Sequence, residues 1–191
     1  MRTVLIVLGA SLALGLAALW NFGAFSTVTV SERTMPRATI VYAKHIGDYG
    51  KIRSVIDSTY LTLLTKGKIA SPRGFGLYYD NPREAPQEKL RSLGGCMVDS
   101  QDESRADSLK TRGYKTAHLP PAKAVYAEFP YKGPLSILIG VVKVYPRMMK
   151  YASERKIDPR PVMEIYDLSR RRIEYVMAYE IPMAAYLDLL R

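Results

Sequence analysis

Cysteine and histidine are nearly absent. Cys96 is the only cysteine, which excludes an intrachain disulfide and a thiol-rich metal site. His45 and His118 are far apart and lack ligand spacing, so neither a structural metal nor a cofactor is expected. No Gly-x-Ser-x-Gly elbow occurs, which removes the usual support for a serine hydrolase. Acidic residues are also scarce: 28 Lys and Arg against 18 Asp and Glu give a formal net charge of +10. That surplus favours anionic surfaces. The densest basic cluster, Arg170-Arg171-Arg172, has no aromatics interleaved with it, so nucleic acid is not favoured as a partner. It reads first as a solvated turn between two strands.

Long hydrophobic runs are absent with one exception. From Thr3 to Trp20 no residue is charged, and the apolar character continues through Phe25. A helix of that length spans the roughly 30 Å hydrocarbon layer of a bilayer. Trp20 and Phe22 would sit at one interface, as aromatic-belt residues do. A cleaved signal peptide is the rival reading, but the small residues Gly15-Leu16-Ala17 fall inside the apolar run. The expectation is therefore an N-terminal single-pass anchor over residues 1–25, with membrane lipid as a partner. Arg33, Arg37 and Lys44 after the span outnumber Arg2 before it, which orients the soluble part to the cytoplasm.

Residues 26–37 are polar, contain Pro36, and read as a linker. Residues 38–191 read as one domain. Ala38 to His45 forms a strand. A helix follows, with Ile52, Val55, Ile56, Tyr60, Leu63 and Leu64 at helical spacing, stopped by Gly67. Phe75–Asp80 and Leu90–Val98 are strands, and Gly94-Gly95 marks a bulge or a close backbone approach. A polar stretch over 99–113 has room for a short helix. Tyr114–Leu119 and Ala122–Phe129 are strands. Leu135–Tyr145 is a helix with Leu135, Leu138, Ile139 and Val142 on one face, and Pro146 should kink or restart it. Pro161–Asp167 and Arg172–Ile181 are strands, and Ala184–Arg191 has room for a terminal helix.

Within that pattern Val162-Met163-Glu164-Ile165-Tyr166 stands out. It puts a carboxylate inside an apolar, aromatic strand, where acids are depleted. Gly76-Leu77-Tyr78-Tyr79-Asp80 looks like an earlier copy of Met163-Glu164-Ile165-Tyr166-Asp167. Val41-Tyr42-Ala43 likewise matches Val125-Tyr126-Ala127. The pairs suggest an internal duplication of a strand–helix–strand–strand unit. In this matching Glu164 replaces Leu77, and Tyr166 corresponds to Tyr79.

Several motifs carry a family resemblance. They are His45-Ile46-Gly47-Asp48-Tyr49-Gly50, Leu77-Tyr78-Tyr79-Asp80-Asn81-Pro82, Glu128-Phe129-Pro130-Tyr131, Glu154-Arg155-Lys156, Glu164-Ile165-Tyr166 and Ile181-Pro182-Met183. In this order and spacing the chain resembles the GyrI-like small-molecule-binding domains, among them the effector-binding domains of multidrug-sensing regulators such as BmrR and the gyrase inhibitor SbmC. It is most similar to a membrane-anchored branch of that family. The resemblance implies an α+β fold: duplicated strand–helix–strand–strand units forming an antiparallel sheet, helices on one face and a pocket on the other, here preceded by one transmembrane helix. It implies a pocket glutamate and stacked aromatics that take cationic, aromatic drugs, and the matching position is Glu164. Some members hydrolyse strained rings with a glutamate and an aromatic residue of the same pocket. No helix-turn-helix precedes the domain, so DNA-bound transcription control is not expected.

Strand alternation puts Tyr42 and Tyr126 at matched positions, and Glu164 on the face of Tyr166. The expectation is a ligand pocket on the face away from the helices, formed by Glu164, Tyr166, Tyr42, Tyr79 and Tyr126. Each cation–π contact there would contribute roughly 0.5–2 kcal/mol. The blander alternative is four ordinary sheet tyrosines with their hydroxyls in water. Binding of a cationic small molecule without catalysis is the first functional reading. The alternatives are a hydrolase with Glu164 as general base and Tyr166 or Tyr126 as hydrogen-bond donor, and a structural membrane adaptor.

Overall fold

The computed structural model describes residues 2–109 and 114–191. It begins with α1 (Arg2–Asn21), an apolar helix whose hydrophobic window is 0% buried and which is long and apolar enough to cross a membrane.

The domain then runs through two strand–helix–strand–strand passages. The first is β2 (Ala38–Ile46), α2 (Ile52–Thr62), β3 (Arg73–Tyr78) and β4 (Arg91–Val98). The second is β6 (Ala122–Pro130), α4 (Pro134–Glu154), β7 (Val162–Asp167) and β8 (Arg172–Ala178). Two further strands, β1 (Val30–Met35) and β5 (Lys115–Leu119), close the edges. All pairings are antiparallel, in the order β1-β6-β8-β7-β3-β4-β2-β5, so β7 and β3 form the central seam. The expected α+β architecture is present. The stretch expected as a linker is not one: Val30–Met35 pairs with Ala122–Ala127 and extends the sheet. The polar link over 99–113 carries a one-turn helix, α3 (Glu103–Asp107), and its residues 110–113 lie outside the described ones.

Alternation along the strands makes two apolar layers. One lies beneath α2 and α4. Ser136, Gly140, Val144, Met148 and Ala152 of α4 press onto Val125, Ala127, Phe129, Ile173 and Met177. The α2 side collects Val41, Leu63, Ile69, Cys96 and Val98. The second layer, on the opposite face, contains Ile40, Tyr42, Phe75, Leu77, Leu93, Tyr126 and Ile165. It is capped by α5 (Met183–Leu189), whose Tyr186 hydroxyl donates to the Ala178 carbonyl at 3.1 Å. Each such fully buried large side chain contributes about 1.5–3 kcal/mol of transfer free energy.

Two details depart from the sequence expectation. Pro146 does not start a separate helix: α4 is continuous from Pro134 to Glu154, with Pro146 inside it. The face of α4 that packs on the sheet is the small-residue series, while Leu135, Leu138 and Val142 point outward. The Gly94-Gly95 pair sits in a regular ladder and serves close approach. A Cβ on Gly95 would lie 2.1 Å from the Val41 carbonyl oxygen, and one on Gly94 would lie 3.0 Å from Ile52 and Val55 of α2.

Candidate functional site

One row of residues crosses the helix-side face of the sheet. Following the ladders it reads Ala43, Gly94, Gly76, Glu164, Tyr175, Ala127. Neighbours across antiparallel strands share a face, so the register puts Glu164 on the helix side. The helices α2 and α4 cover opposite halves of the sheet, and the β3–β7 seam is where the two halves meet.

At the seam Glu164 is 2% exposed, and both carboxylate oxygens are engaged. Oε1 accepts from the Tyr145 hydroxyl of α4 at 2.8 Å, and Oε2 accepts from the Tyr166 hydroxyl at 2.8 Å. The Tyr166 and Tyr78 hydroxyls are 3.3 Å apart. Three more aromatic rings extend the cluster. Tyr175 meets Tyr145 edge-on with centroids 5.9 Å apart, Tyr131 lies 6.3 Å from Tyr166, and Tyr49 lies 4.8 Å from Tyr78. The Tyr175 hydroxyl is buried without a hydrogen-bond partner. Two glycines make room. A Cβ on Gly76 would fall 2.6 Å from the Tyr78 hydroxyl, and one on Gly140 of α4 would fall 2.3 Å from that of Tyr175.

The electrostatics follow from the absence of a cation. No Lys or Arg among the described residues acts on Glu164. Burial raises its carboxyl from 4.5 to about 7, against the lowering effect of its two tyrosine donors. Burial, together with the neighbouring carboxylate, holds the Tyr145 and Tyr166 hydroxyls well above the ordinary tyrosine value, so both keep their protons and donate. The site is therefore a buried carboxyl poised near neutrality, solvated by phenols. It is suited to an incoming positive charge flanked by aromatic surface.

The structure brings together Glu164 and Tyr166 of the expected site, and separates the other three. Tyr42, Tyr79 and Tyr126 belong to the layer on the opposite face of the sheet. Tyr42 donates to the Leu189 carbonyl at 3.2 Å and Tyr79 to the Tyr186 carbonyl at 2.7 Å, so both fasten α5 and its C-terminal end. Tyr126 is stacked under the Arg33 guanidinium, 3.9 Å from its centroid, and donates to Glu128. The expected shared face away from the helices is thus corrected: Glu164 lies on the helix side. Leu77, matched to Glu164 in the sequence, lies on the other face of the sheet, as does Tyr79. Gly76 is the ladder partner of Glu164, and Tyr78 shares its face. Successive residues of a strand point to opposite faces, so a matching one residue off exchanges them. Tyr145, Tyr175 and Tyr131 were missed as well. For Tyr175 the alternation of the last strand was a usable signal, but Tyr145 is brought in from a helix by tertiary packing alone.

A cavity of about 630 Å³ opens on the opposite face, over Leu77, Met163, Ile165 and Val176, with Asp167 and Glu174 at its edge. It holds none of the Glu164 cluster. Glu174 there is already paired with Arg170 at 3.0 Å. The Glu164 cluster is the stronger candidate, because its carboxylate has no cation beside it among the described residues and several polar groups converge on it.

Known proteins share the family and the fold. A family model described as the GyrI-like small molecule binding domain matches residues 29–184. The Testis-expressed protein 264 homolog of Mus musculus is 35% identical over 153 residues, which cover 75% of this chain and 47% of that protein. Testis-expressed protein 264 of Homo sapiens is 33% identical over 153 residues, covering 75% and 46%. The chain thus spans about half the length of these relatives. Among solved structures, the EcmrR–DNA complex superposes with a TM-score of 0.56 at 13% identity, covering 93% of this chain and 67% of that one. The EcmrR C-terminal domain superposes at 0.52 and 13%, covering 79% and 96%. At that identity the likeness is one of fold. With the family match running over most of the domain, the chain belongs to the GyrI-like small molecule binding domain family.

Proposed function

We propose that this chain is a membrane-anchored binding module for amphipathic aromatic cations, with Glu164 as the counter-charge and Tyr145, Tyr166 and Tyr78 as the surrounding wall. The observation that carries the reading is a carboxylate 2% exposed with two phenolic donors and no cation beside it among the described residues. A ligand cation would supply the missing partner, and the tyrosine rings would hold its aromatic body. Helix α1 anchors the module, with the domain on the cytoplasmic side by the charge asymmetry about the span.

The test is a titration of the full chain in detergent with tetraphenylphosphonium and its neutral analogue triphenylphosphine oxide, beside Glu164→Gln. Saturable binding of the cation alone, weakened at least about tenfold in the variant, is expected; tenfold corresponds to about 1.4 kcal/mol. Equal affinity of cation and neutral analogue, or an unaffected variant, would sink the reading. A carboxyl near pH 7 beside hydroxyl donors also fits a general base, the hydrolase alternative. Ring-opening of an epoxide substrate by the native chain, lost in Glu164→Gln, would favour that reading instead.

A further inference from the structure

The junction between α1 and the domain is not a loose tether. The Lys143 ammonium of α4 donates to the Ala24 and Ser26 carbonyls at 2.5 and 2.7 Å. Gly23, at φ +87°, is packed against Phe129, and Val28 is buried in the layer beneath α4. A Cβ on Gly133 would lie 3.6 Å from Phe22, so the start of α4 touches the end of α1. The Tyr131 amide donates to the Arg171 carbonyl at 2.9 Å, which brings the β7–β8 turn to the same end.

The surface at that end is both apolar and basic. Leu135, Leu138 and Val142 are 38%, 65% and 74% exposed, and their spacing makes one outward stripe on α4. Leu168, in the β7–β8 turn, is exposed as well. Exposed Lys132 and Arg171 make no ion pair among the described residues. Apolar side chains beside cations that make no ion pair among the described residues suit the headgroup layer of an anionic bilayer.

We infer that this end of the domain docks on an anionic phospholipid bilayer, Leu135, Leu138 and Val142 seated at the acyl boundary and Lys132 and Arg171 on the headgroup phosphates. The inference rests on the reading of α1 as a membrane anchor. It deepens the proposed function: Tyr131, beside Lys132, is 6.3 Å from Tyr166, so the docked end would adjoin the Glu164 cluster. Its ligand would then be an amphipathic cation already partitioned among the headgroups.

The experiment uses the full chain, labelled with an environment-sensitive fluorophore at Leu138→Cys or, as control, at Glu88→Cys. Glu88 lies in the β3–β4 connection, at the opposite end of the strands from the β7–β8 turn. Native Cys96 is buried, with its thiol pushed up to about 12, and escapes labelling. Each protein is reconstituted in phosphatidylcholine vesicles containing or lacking phosphatidylserine, with brominated lipid as quencher. Several-fold stronger quenching at position 138 than at 88 is expected. Phosphatidylserine should increase it, and Lys132→Glu with Arg171→Glu should abolish that increase. Equal quenching at the two positions, or a chain that fails to float with vesicles, would overturn the inference. Cation affinity of the same labelled protein in detergent is independent of docking. A docking failure with intact cation binding therefore leaves the proposed function standing, and docking without cation binding does the reverse.

Discussion

The two halves of the sheet carry the same order of elements and opposite contents at the seam. In the first half the row toward the seam is Ala43, Gly94, Gly76, and in the second it is Glu164, Tyr175, Ala127. The glycines let α2 settle closely: a Cβ on Gly74 would meet Ile56 at 2.7 Å, and one on Gly94 would meet Val55 at 3.0 Å. They also let the Tyr78 ring fold over the strand. The second half keeps large polar side chains, and α4 accommodates them through its own Gly140. One half is given to close packing and the other to a buried carboxyl. That asymmetry singles out Glu164 as the candidate, because a buried carboxylate with no opposite charge among the described residues costs stability that close packing has to offset.

The most direct way to break the contrast is Glu164→Gln. The Glu164 carboxyl stands at about 7 in the folded chain against an ordinary 4.5. Between those values the folded chain holds a proton that the unfolded chain has released. Stability therefore falls as pH rises through that window and levels off above it. The variant does not titrate there. It should be more stable than the native chain at pH 8 by up to about 3 kcal/mol, with little difference at pH 4. Denaturant melts at the two pH values measure this, and parallel pH profiles would remove the buried-carboxylate account.

Tyr145→Phe sharpens it from the other side. Loss of the 2.8 Å donor leaves the carboxylate with Tyr166 alone. The expected cost is about 2 kcal/mol at pH 8 and much less at pH 5, where the carboxyl is protonated. The pH midpoint of cation binding should move upward, and an equal loss at both pH values would mean that packing rather than charge was removed. In the first half, Gly76→Ala should push the Tyr78 ring aside, cost about 1 kcal/mol, and weaken cation binding. Unchanged binding there would free Tyr78 from any part in the site. The smallest effect belongs to Tyr42→Phe on the opposite face. Losing its 3.2 Å bond to the Leu189 carbonyl should cost about 0.5–1 kcal/mol, with cation affinity untouched. A fall in affinity would bring that face back into the ligand site.

Much of the fold could be read from the residues. Most strand and helix positions, the order of the two passages and the anomaly of Glu164 followed from periodicity, the strand Val30–Met35 excepted, and the motif resemblance supplied the family. Of the expected site, the structure places Tyr166 beside Glu164 and Tyr42, Tyr79 and Tyr126 on the other face. Tyr166 shares a strand with Glu164, so alternation alone pairs them. Tyr78 and Tyr79 are adjacent tyrosines, and choosing between them needed the inter-strand register. The apolar stripe of α4 misled for a related reason. The sheet beneath the helix carries Phe129, Tyr175 and other large side chains, so the helix meets them with Ser136 and Gly140, and its leucines face outward.

By itself the sequence determined the type and order of the elements, the apolar N-terminal helix and the presence of one carboxyl out of place in a strand. These depend on local period and composition, which are properties of neighbouring residues. Only the tertiary structure decided which face that carboxyl occupies, that Tyr145 and Tyr78 reach its cluster, and that its proton is held to about 7. Those properties depend on strand register, on the seating of α4 and on exclusion of water. Each is set by contacts between residues distant in the chain, and no local pattern encodes them.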